Sequence, residues 1–393
     1  MNNYCLHDTL FDIHGGVKRE KEPCNILLKK RTSSVVYCPR HEERPPGAMY
    51  PRCICLEHNG DKNGTLLASF ECYTYDTPVF PIYESTDDAV SWHLKSNVED
   101  KEKGFGCRYQ PHLYELPCDC GDLKEGTILC AGNIIPDDFS STCLHLYKST
   151  DAGETWEFMS EIVSGGMAAV DADVPDENRP VWEPYLLVTP DGKLICYYSD
   201  EGYNKSLKYN QMLAHKVSSD GGYTWSEAKI DIAYPDGVLR PGMPIVAALP
   251  NGKFIMVYEM YNQDGIGVYF RISDDMEDWG DVDFMGNPVV TADGEFLSGT
   301  PYVIWIPQGG ENGTSLATGR GFSHILANSN LGEGFWEKLD CLVEVDFKRG
   351  FTGYSQCMVA LHGGKQLLSL CPKQVSDRVG LIEAAVADVY VRA

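Results

Sequence analysis

The chain has 393 residues, 43% of them hydrophobic, with 33 basic against 57 acidic side chains, a net charge of −24 and a pI near 4.7. That balance leaves no electrostatic footprint for nucleic acid or an anionic membrane, and disfavours a polyanionic substrate. The 15 cysteines, an odd number without paired spacing, argue against a disulfide framework. Cys53-x-Cys55 and Cys118-x-Cys120 are tighter than zinc-site spacing and read as small strand hydrophobes.

Met1–Asp8 shows no basic segment followed by an apolar run, so no secretory signal is visible, and no stretch is long and apolar enough to span a membrane. A cytoplasmic, reduced protein is expected, and the sequons at Asn63, Asn204 and Asn312 then carry no meaning. The first 45 residues are basic and Pro-rich near Lys18–Lys30 and Arg44–Pro46, and are expected to supply an outer strand and a loop. Beyond them, short apolar runs alternate with turn signals. Leu66–Glu71, Leu194–Tyr198 and Phe254–Tyr258 read as strands, the last two preceded by Asp191-Gly192 and Asn251-Gly252 hairpin turns. Ile382–Val391 alternates as a final strand.

Between these strands one pattern recurs. It reads Ser149-Thr-Asp151-Ala-Gly153-Glu-Thr155-Trp156 and Ser218-Ser-Asp220-Gly-Gly222-Tyr-Thr224-Trp225, with looser copies at Ser85–Trp92 and Ser273–Trp279 and an eroded one ending at Trp336. The tryptophans lie 54 to 69 residues apart. Near-regular recurrence signals a repeat architecture. Ser and Asp collect turn amides, Gly takes a conformation other residues resist, and Trp re-enters a strand. The unit is strand, turn, strand, hairpin, strand. Four strands per unit and about 60 residues each give a six-bladed, all-β propeller of four-stranded antiparallel blades. The expectation is one domain over 1–393, closed by pairing the N- and C-terminal strands so that no edge is left free. The turns resemble the Asp box of the sialidase superfamily, where they lie far from the active site, so they are read as scaffold.

Two glutamates sit inside apolar, aromatic runs: Glu183 in Val-Trp182-Glu183-Pro-Tyr-Leu-Leu and Glu259 in Val-Tyr258-Glu259-Met-Tyr. Such carboxyls are expected to be desolvated, which raises their pKa, and a carboxylate pair in different environments is what glycoside hydrolysis requires. The alternative is a pair of strand-end residues satisfied by arginine or backbone amides.

The ordered series Tyr109-Gln110-Pro-His-Leu-Tyr-Glu115, Asn133-Ile-Ile-Pro-Asp137-Asp138, Trp182-Glu183-Pro-Tyr, Tyr197-Tyr198-Ser-Asp200-Glu201, Arg240-Pro-Gly-Met-Pro244 and Tyr258-Glu259 resembles glycoside hydrolase family 93, the exo-arabinanases, over about Tyr50 to Tyr354. The resemblance implies release of arabinobiose from the non-reducing end of α-1,5-linked L-arabinan, with retention. It places the catalytic carboxylates on Glu183 and Glu259, their roles within the pair left open. Arg52, Gln110, Asp137, Asp200, Arg240 and Tyr302 become candidate sugar contacts, against structural roles of equal weight. Tyr354 falls where sialidases carry a catalytic tyrosine, and Trp182 and Tyr258 are candidates for stacking on sugar or for core packing. The chain departs from the family, whose members are secreted, at Glu201-Gly202, where Gln-Arg is usual, and at Met260-Tyr261. These departures bear on the exact sugar, and a cytoplasmic member would meet short oligosaccharides.

Two other readings stand beside this one. A sialidase would use three arginines from among Arg52, Arg240, Arg320 and Arg349, with Tyr354 as nucleophile, although its first-blade Arg-Ile-Pro signature is absent. A non-catalytic propeller would bind sugar or protein with the same fold. No His-rich ligand set or Gly-rich phosphate loop appears, so no metal or other cofactor is expected. An oligosaccharide is the expected partner, and oligomeric state is left open.

Overall fold

The computed structural model describes residues 23–39, 47–73, 77–169, 178–202, 209–345, 350–376 and 379–392. Lys18, residues 44–46, Asn204 and Arg349, all singled out in the sequence, lie outside them. The chain forms six four-stranded antiparallel sheets, the six-bladed propeller expected from the repeat.

Strand β1 (Ile26–Tyr37) comes first and is set aside for the last blade. Blade one is β2 (Ala48–Cys55), β3 (Leu66–Cys72), β4 (Phe80–Ser85) and β5 (His93–Val98). Blade two is β6 (Gly106–Glu115), β7 (Ile128–Ile135), β8 (Thr142–Ser149) and β9 (Glu157–Gly165). Blade three is β10 (Val181–Val188), β11 (Leu194–Asp200), β12 (Met212–Ser218) and β13 (Lys229–Ala233). Blade four is β14 (Arg240–Ala248), β15 (Phe254–Tyr261), β16 (Val268–Ser273) and the short β17 (Asn287–Pro288). Blade five is β18 (Gly299–Ile306), β19 (Thr314–Arg320), β20 (His324–Asn328) and β21 (Glu337–Asp340). Blade six is β22 (Cys357–Leu361), β23 (Gln366–Ser376) and β24 (Val379–Val391), completed on its outside by β1. β1 runs antiparallel to β24, from Ile26 opposite Val391 to Tyr37 opposite Ile382. The first strands of successive blades touch all the way round, β2 to β6, β10, β14, β18, β22 and back to β2. These six strands line the central channel.

The Asp boxes show why they recur. Asp220 accepts the Tyr223 and Thr224 amides and the Thr224 hydroxyl, while Ser218 Oγ takes the Gly222 amide at 2.7 Å. Asp87 and Asp151 hold their turns in the same way. Gly222 sits at φ +105°, open to glycine and costly for other residues. Each indole then reaches back to the outermost strand of the preceding blade. Trp92 donates to Ser34, Trp156 to Ser96 and Trp225 to Ser160, all at 3.0–3.1 Å. The boxes thus staple neighbouring blades at their outer ends. The last two copies depart from this staple: the Trp279 indole donates to Met276 O in its own turn. The indole N–H of Trp336, though buried, has no partner among the described residues.

The inner strands carry a second repeat. In each of the first five blades the innermost strand is broken by a bulge at a residue that precedes proline: Tyr50, Gln110, Glu183, Met243 and Thr300. All five take left-handed φ angles between +48° and +64°, and Ser355 takes +51° at the matching place in blade six. A non-glycine residue held there costs on the order of 1–3 kcal/mol. A side chain of the preceding blade repeatedly offsets that cost. The Gln110 amide donates to Glu71 (3.0 Å) and the Glu183 amide to Gln110 Oε1 (3.1 Å). The Met243 amide donates to Glu183 (2.7 Å) and the Thr300 amide to Glu259 (2.7 Å). This ring of side-chain-to-bulge bonds brings the functional residues to one end of the channel.

Candidate active site

Every position around the ring follows from the bulges. The residue just before each bulge is Met49, Tyr109, Trp182, Gly242, Gly299 and Tyr354 in turn. Aromatic rings therefore wall blades two, three and six, while blades four and five present only glycine. Opposite these residues, on the second strands of blades one to five, stand Glu71, Asn133, Ser199, Glu259 and Arg320. Two residues past the bulge come Arg52, His112, Tyr185, Ile245, Tyr302 and Cys357, which form the buried layer beneath.

Glu183 projects from the bulge of β10 and Glu259 from β15, and the gap between them lies over Gly242. A Cβ placed on Gly242 would lie 3.4 Å from Glu183 Oε2 and 3.5 Å from Glu259 Oε1. The two carboxylates therefore border the same space over Gly242. Glu183 Oε2 accepts the Ser199 hydroxyl (2.6 Å) and the Met243 amide. Glu259 Oε2 accepts the Thr300 amide. Burial raises the pKa of both. The charge of Glu259 raises Glu183 further, against the Ser199 and Met243 donors and Arg240. The Thr300 amide, Arg240 and Arg320 oppose the rise at Glu259. Two carboxyls so placed resist ionising together.

A third carboxyl, Glu71, was not picked out from sequence. It occupies in blade one the place Glu259 holds in blade four, accepts Tyr73 Oη (2.8 Å) and the Gln110 amide, and is pushed up to about 7 by burial. Ser199 and Gln211 are likewise absent from the sequence-derived candidates, and Glu201 enters there only as a departure from the family pattern. Aligning the residues opposite the x-Pro bulges would have found Glu71 and Ser199, because those positions are polar in each of the five blades. Because the folded-state pKa of Glu71 lies above its ordinary value near 4.5, the native state holds a proton that the unfolded chain releases. Its contribution to stability is full at low pH and declines as pH rises from about 4.5 to 7. Glu71→Gln is expected to flatten the fall in Tm over that window, as thermal unfolding followed by circular dichroism would show. An unchanged slope would count against the assignment.

The remaining expected contacts divide by location. Gln110 reaches the site and holds the Glu183 amide. Trp182 lies at the wall with its indole on Glu201 (2.9 Å), and Arg240 lies beside it with Nη2 on Glu201 (2.6 Å) and Gln211 (2.7 Å). Tyr354 packs against Tyr50, with ring centroids 6.5 Å apart. Asp200 is buried at the end of β11, accepting the Gly202 amide at 2.7 Å. Arg52 and Tyr302 belong to the buried layer. Arg52 is 2% exposed, donates to Pro51 O and to Ser355, and its guanidinium sits 5.2 Å from the Tyr302 ring centroid. Two residues are not brought to the pair. The Tyr258 ring points to the opposite face from Glu259, fully buried with its hydroxyl on Met285 O. The Asp137 side chain is 91% exposed and pairs with Arg108 at the rim.

The geometry disfavours sialidase chemistry. Arg52 is engaged below the site, Arg240 is held by Glu201 and Gln211, and Arg320 donates to Gly350 O, so these arginines do not converge on one anion. Burial and three neighbouring carboxylates hold the Tyr354 phenol well above its ordinary pKa, the reverse of what a tyrosine nucleophile needs. Elsewhere, Cys143, His145 and Glu161 cluster in blade two with the Lys103 ammonium among them, 2.6 Å from Glu161 and 3.1 Å from Cys143.

No protein-family model and no curated protein sequence matches the chain. Among solved structures it is similar to an α-L-arabinanase from Penicillium chrysogenum complexed with arabinobiose, at 35% identity and TM-score 0.82, covering 92% of this chain and 98% of that one. It is likewise similar to the family 93 α-L-arabinofuranosidase of Fusarium graminearum with arabinobiose, at 34% identity and TM-score 0.81, over 91% and 98% of the two chains. The chain belongs to glycoside hydrolase family 93. A microbial sialidase, Hz136, shares 14% identity at TM-score 0.57 and shows a common fold alone. This family 93 member is a glycoside hydrolase, which removes the reading of a propeller that only binds.

Proposed function

We propose that the enzyme releases arabinobiose from the non-reducing end of α-1,5-linked L-arabino-oligosaccharides, with retention, through Glu183 and Glu259. The observation that carries this reading is the pair of enclosed carboxylates bordering the same space over Gly242. It is supported by the two similar enzymes, both of which hold arabinobiose. The oxygens flanking Gly242 lie within about 7 Å of each other, compatible with the roughly 5–5.5 Å that double displacement uses.

Glu183 is the more enclosed of the two, 9% exposed, and it feels the charge of Glu259. It carries a proton and serves as acid. Glu259, faced by Arg240 and Arg320, is the ionised nucleophile. In the first step Glu259 attacks the anomeric carbon as the glycosidic C–O bond breaks, and Glu183 gives its proton to the departing oxygen. In the second step Glu183 takes a proton from water, whose oxygen attacks the same carbon and releases Glu259. Proton NMR of the first product formed from an α-linked substrate is expected to show the α-anomer ahead of mutarotation. Initial appearance of the β-anomer would overturn the double displacement.

A further inference from the structure

Glu201 stands just past the end of β11 with its side chain 1% exposed, where groups from β10, from β14 and from the segment ahead of β10 meet. Its Oε1 accepts the Trp182 indole from β10 at 2.9 Å and Arg240 Nη2 from β14 at 2.6 Å. Its Oε2 lies 3.8 Å from Arg179 Nη1, just ahead of β10. Its own amide is fixed on Pro180 O (3.1 Å). Gln211, just ahead of β12, takes the same Nη2 of Arg240 at 2.7 Å and ties its side-chain amide nitrogen to Pro241 O at 2.8 Å. Arg240 is thus gripped twice by one terminal nitrogen. Its Nε–H is buried and has no partner among the described residues. A buried donor left unpaired by the chain is costly, and a ligand oxygen would satisfy it. Two residues further along β14 lies Gly242, the floor between the two catalytic carboxylates.

We propose that Glu201 is a positioning residue for the reaction: it holds Arg240 by Nη2 against the blade-three wall, so that the unpaired edge of the guanidinium meets a hydroxyl of a neutral sugar instead of collapsing onto Glu183 or Glu259. The residue acts through Arg240 and Trp182. The proposal rests on the glycosidase reading for its substrate, and on the hydrogen-bond geometry alone for the hold.

The charge arrangement has a consequence that can be read without substrate. Arg240 lowers the pKa of both Glu183 and Glu259, and Glu201 stands against that charge. The other charged or titratable groups facing this knot are Arg179, Asp200 and Tyr261, and those facing the pair are Tyr50, Tyr354 and Arg320. In Glu201→Gln the buried counter-charge is gone and Arg240 acts on the pair unopposed.

The test is carbon-13 NMR titration of the glutamate carboxyls in the full chain, wild type beside Glu201→Gln and Glu201→Asp, with steady-state kinetics on arabino-oligosaccharides in parallel. Glu201→Gln is expected to lower the titration of the Glu183–Glu259 pair by about half a pH unit or more and to raise KM more than it lowers kcat. Glu201→Asp keeps the charge on a shorter arm, so it is expected to leave the titration near wild type while still raising KM. It also carries the test if the glutamine variant fails to fold. A pair that titrates as in wild type in Glu201→Gln, or a KM unmoved in a folded Glu201→Asp, would overturn the hold. If the titration shifts as expected but wild type leaves arabino-oligosaccharides intact, the substrate reading fails and the hold stands.

Discussion

Glu259→Ala is expected to lose about a thousandfold or more in kcat on every substrate, whereas Glu183→Ala keeps much of its first-step rate on a nitrophenyl arabinobioside. The difference follows from the roles. A nitrophenolate leaves without a proton, so the missing acid costs little there, but no leaving group replaces a missing nucleophile. Glu183→Ala is then slow in the second step, where it lacks the base, and added azide is expected to restore turnover as a retained glycosyl azide. Burst kinetics and product analysis with both variants check this. Azide rescue of Glu259→Ala to a retained product, or equal losses in both variants on the activated substrate, would reverse or dissolve the assignment. Both glutamates also staple the next blade's bulge through the Met243 and Thr300 amides, so circular dichroism of each variant must accompany the rates. The glutamine variants keep an acceptor for those amides and separate chemistry from folding.

Gly242→Ala is expected to remove activity while leaving the propeller folded. The new methyl would sit at ordinary contact from both carboxylates but only 2.7 Å from Gln211 Nε2. Gln211 must then yield, and with it one of the two holds on Arg240. The methyl also occupies the space where the anomeric carbon has to lie between acid and nucleophile. A displacement of about 1 Å at a reacting centre can cost a hundredfold, so a loss of at least that size in kcat/KM is expected. Unfolding is not expected, since Gly242 does not take a left-handed φ. A Gly242→Ala variant with near wild-type kcat/KM would show that the reacting atoms lie elsewhere in the channel.

Much of the fold was legible because the Asp box is a local device. Ser218, Asp220 and Thr224 satisfy one another within seven residues, so a window of sequence contains the whole interaction. The two glutamates were legible for a related reason: a carboxylate in an apolar run is conspicuous wherever the strand goes. Facing was not legible. The inner strands of the first five blades hold a bulge at a residue before proline, a place where sequence rules expect extended backbone and proline is expected only at strand edges. The bulge changes which residues look into the channel. Arg52 and Tyr302, expected among the sugar contacts, fall into the buried layer beneath. Tyr258, a candidate for sugar stacking or for core packing, takes the second role, because neighbours on a strand face opposite ways and its ring packs in the blade. Asp137 follows the end of β7 and escapes to the rim. Glu71 was invisible because its meaning depends on the blade-four residue it matches, and that match needs the bulges to align.

The propeller, the gap at Gly242 and the two enclosed glutamates together claim one activity. Chromatography of the products from debranched α-1,5-arabino-oligosaccharides, with wild type beside Glu183→Gln and Glu259→Gln, tests it most directly. The account predicts arabinobiose as the first and main product of wild type, with none above background from either variant. Arabinobiose at wild-type rate from either variant, or no cleavage by a folded wild type, would contradict it.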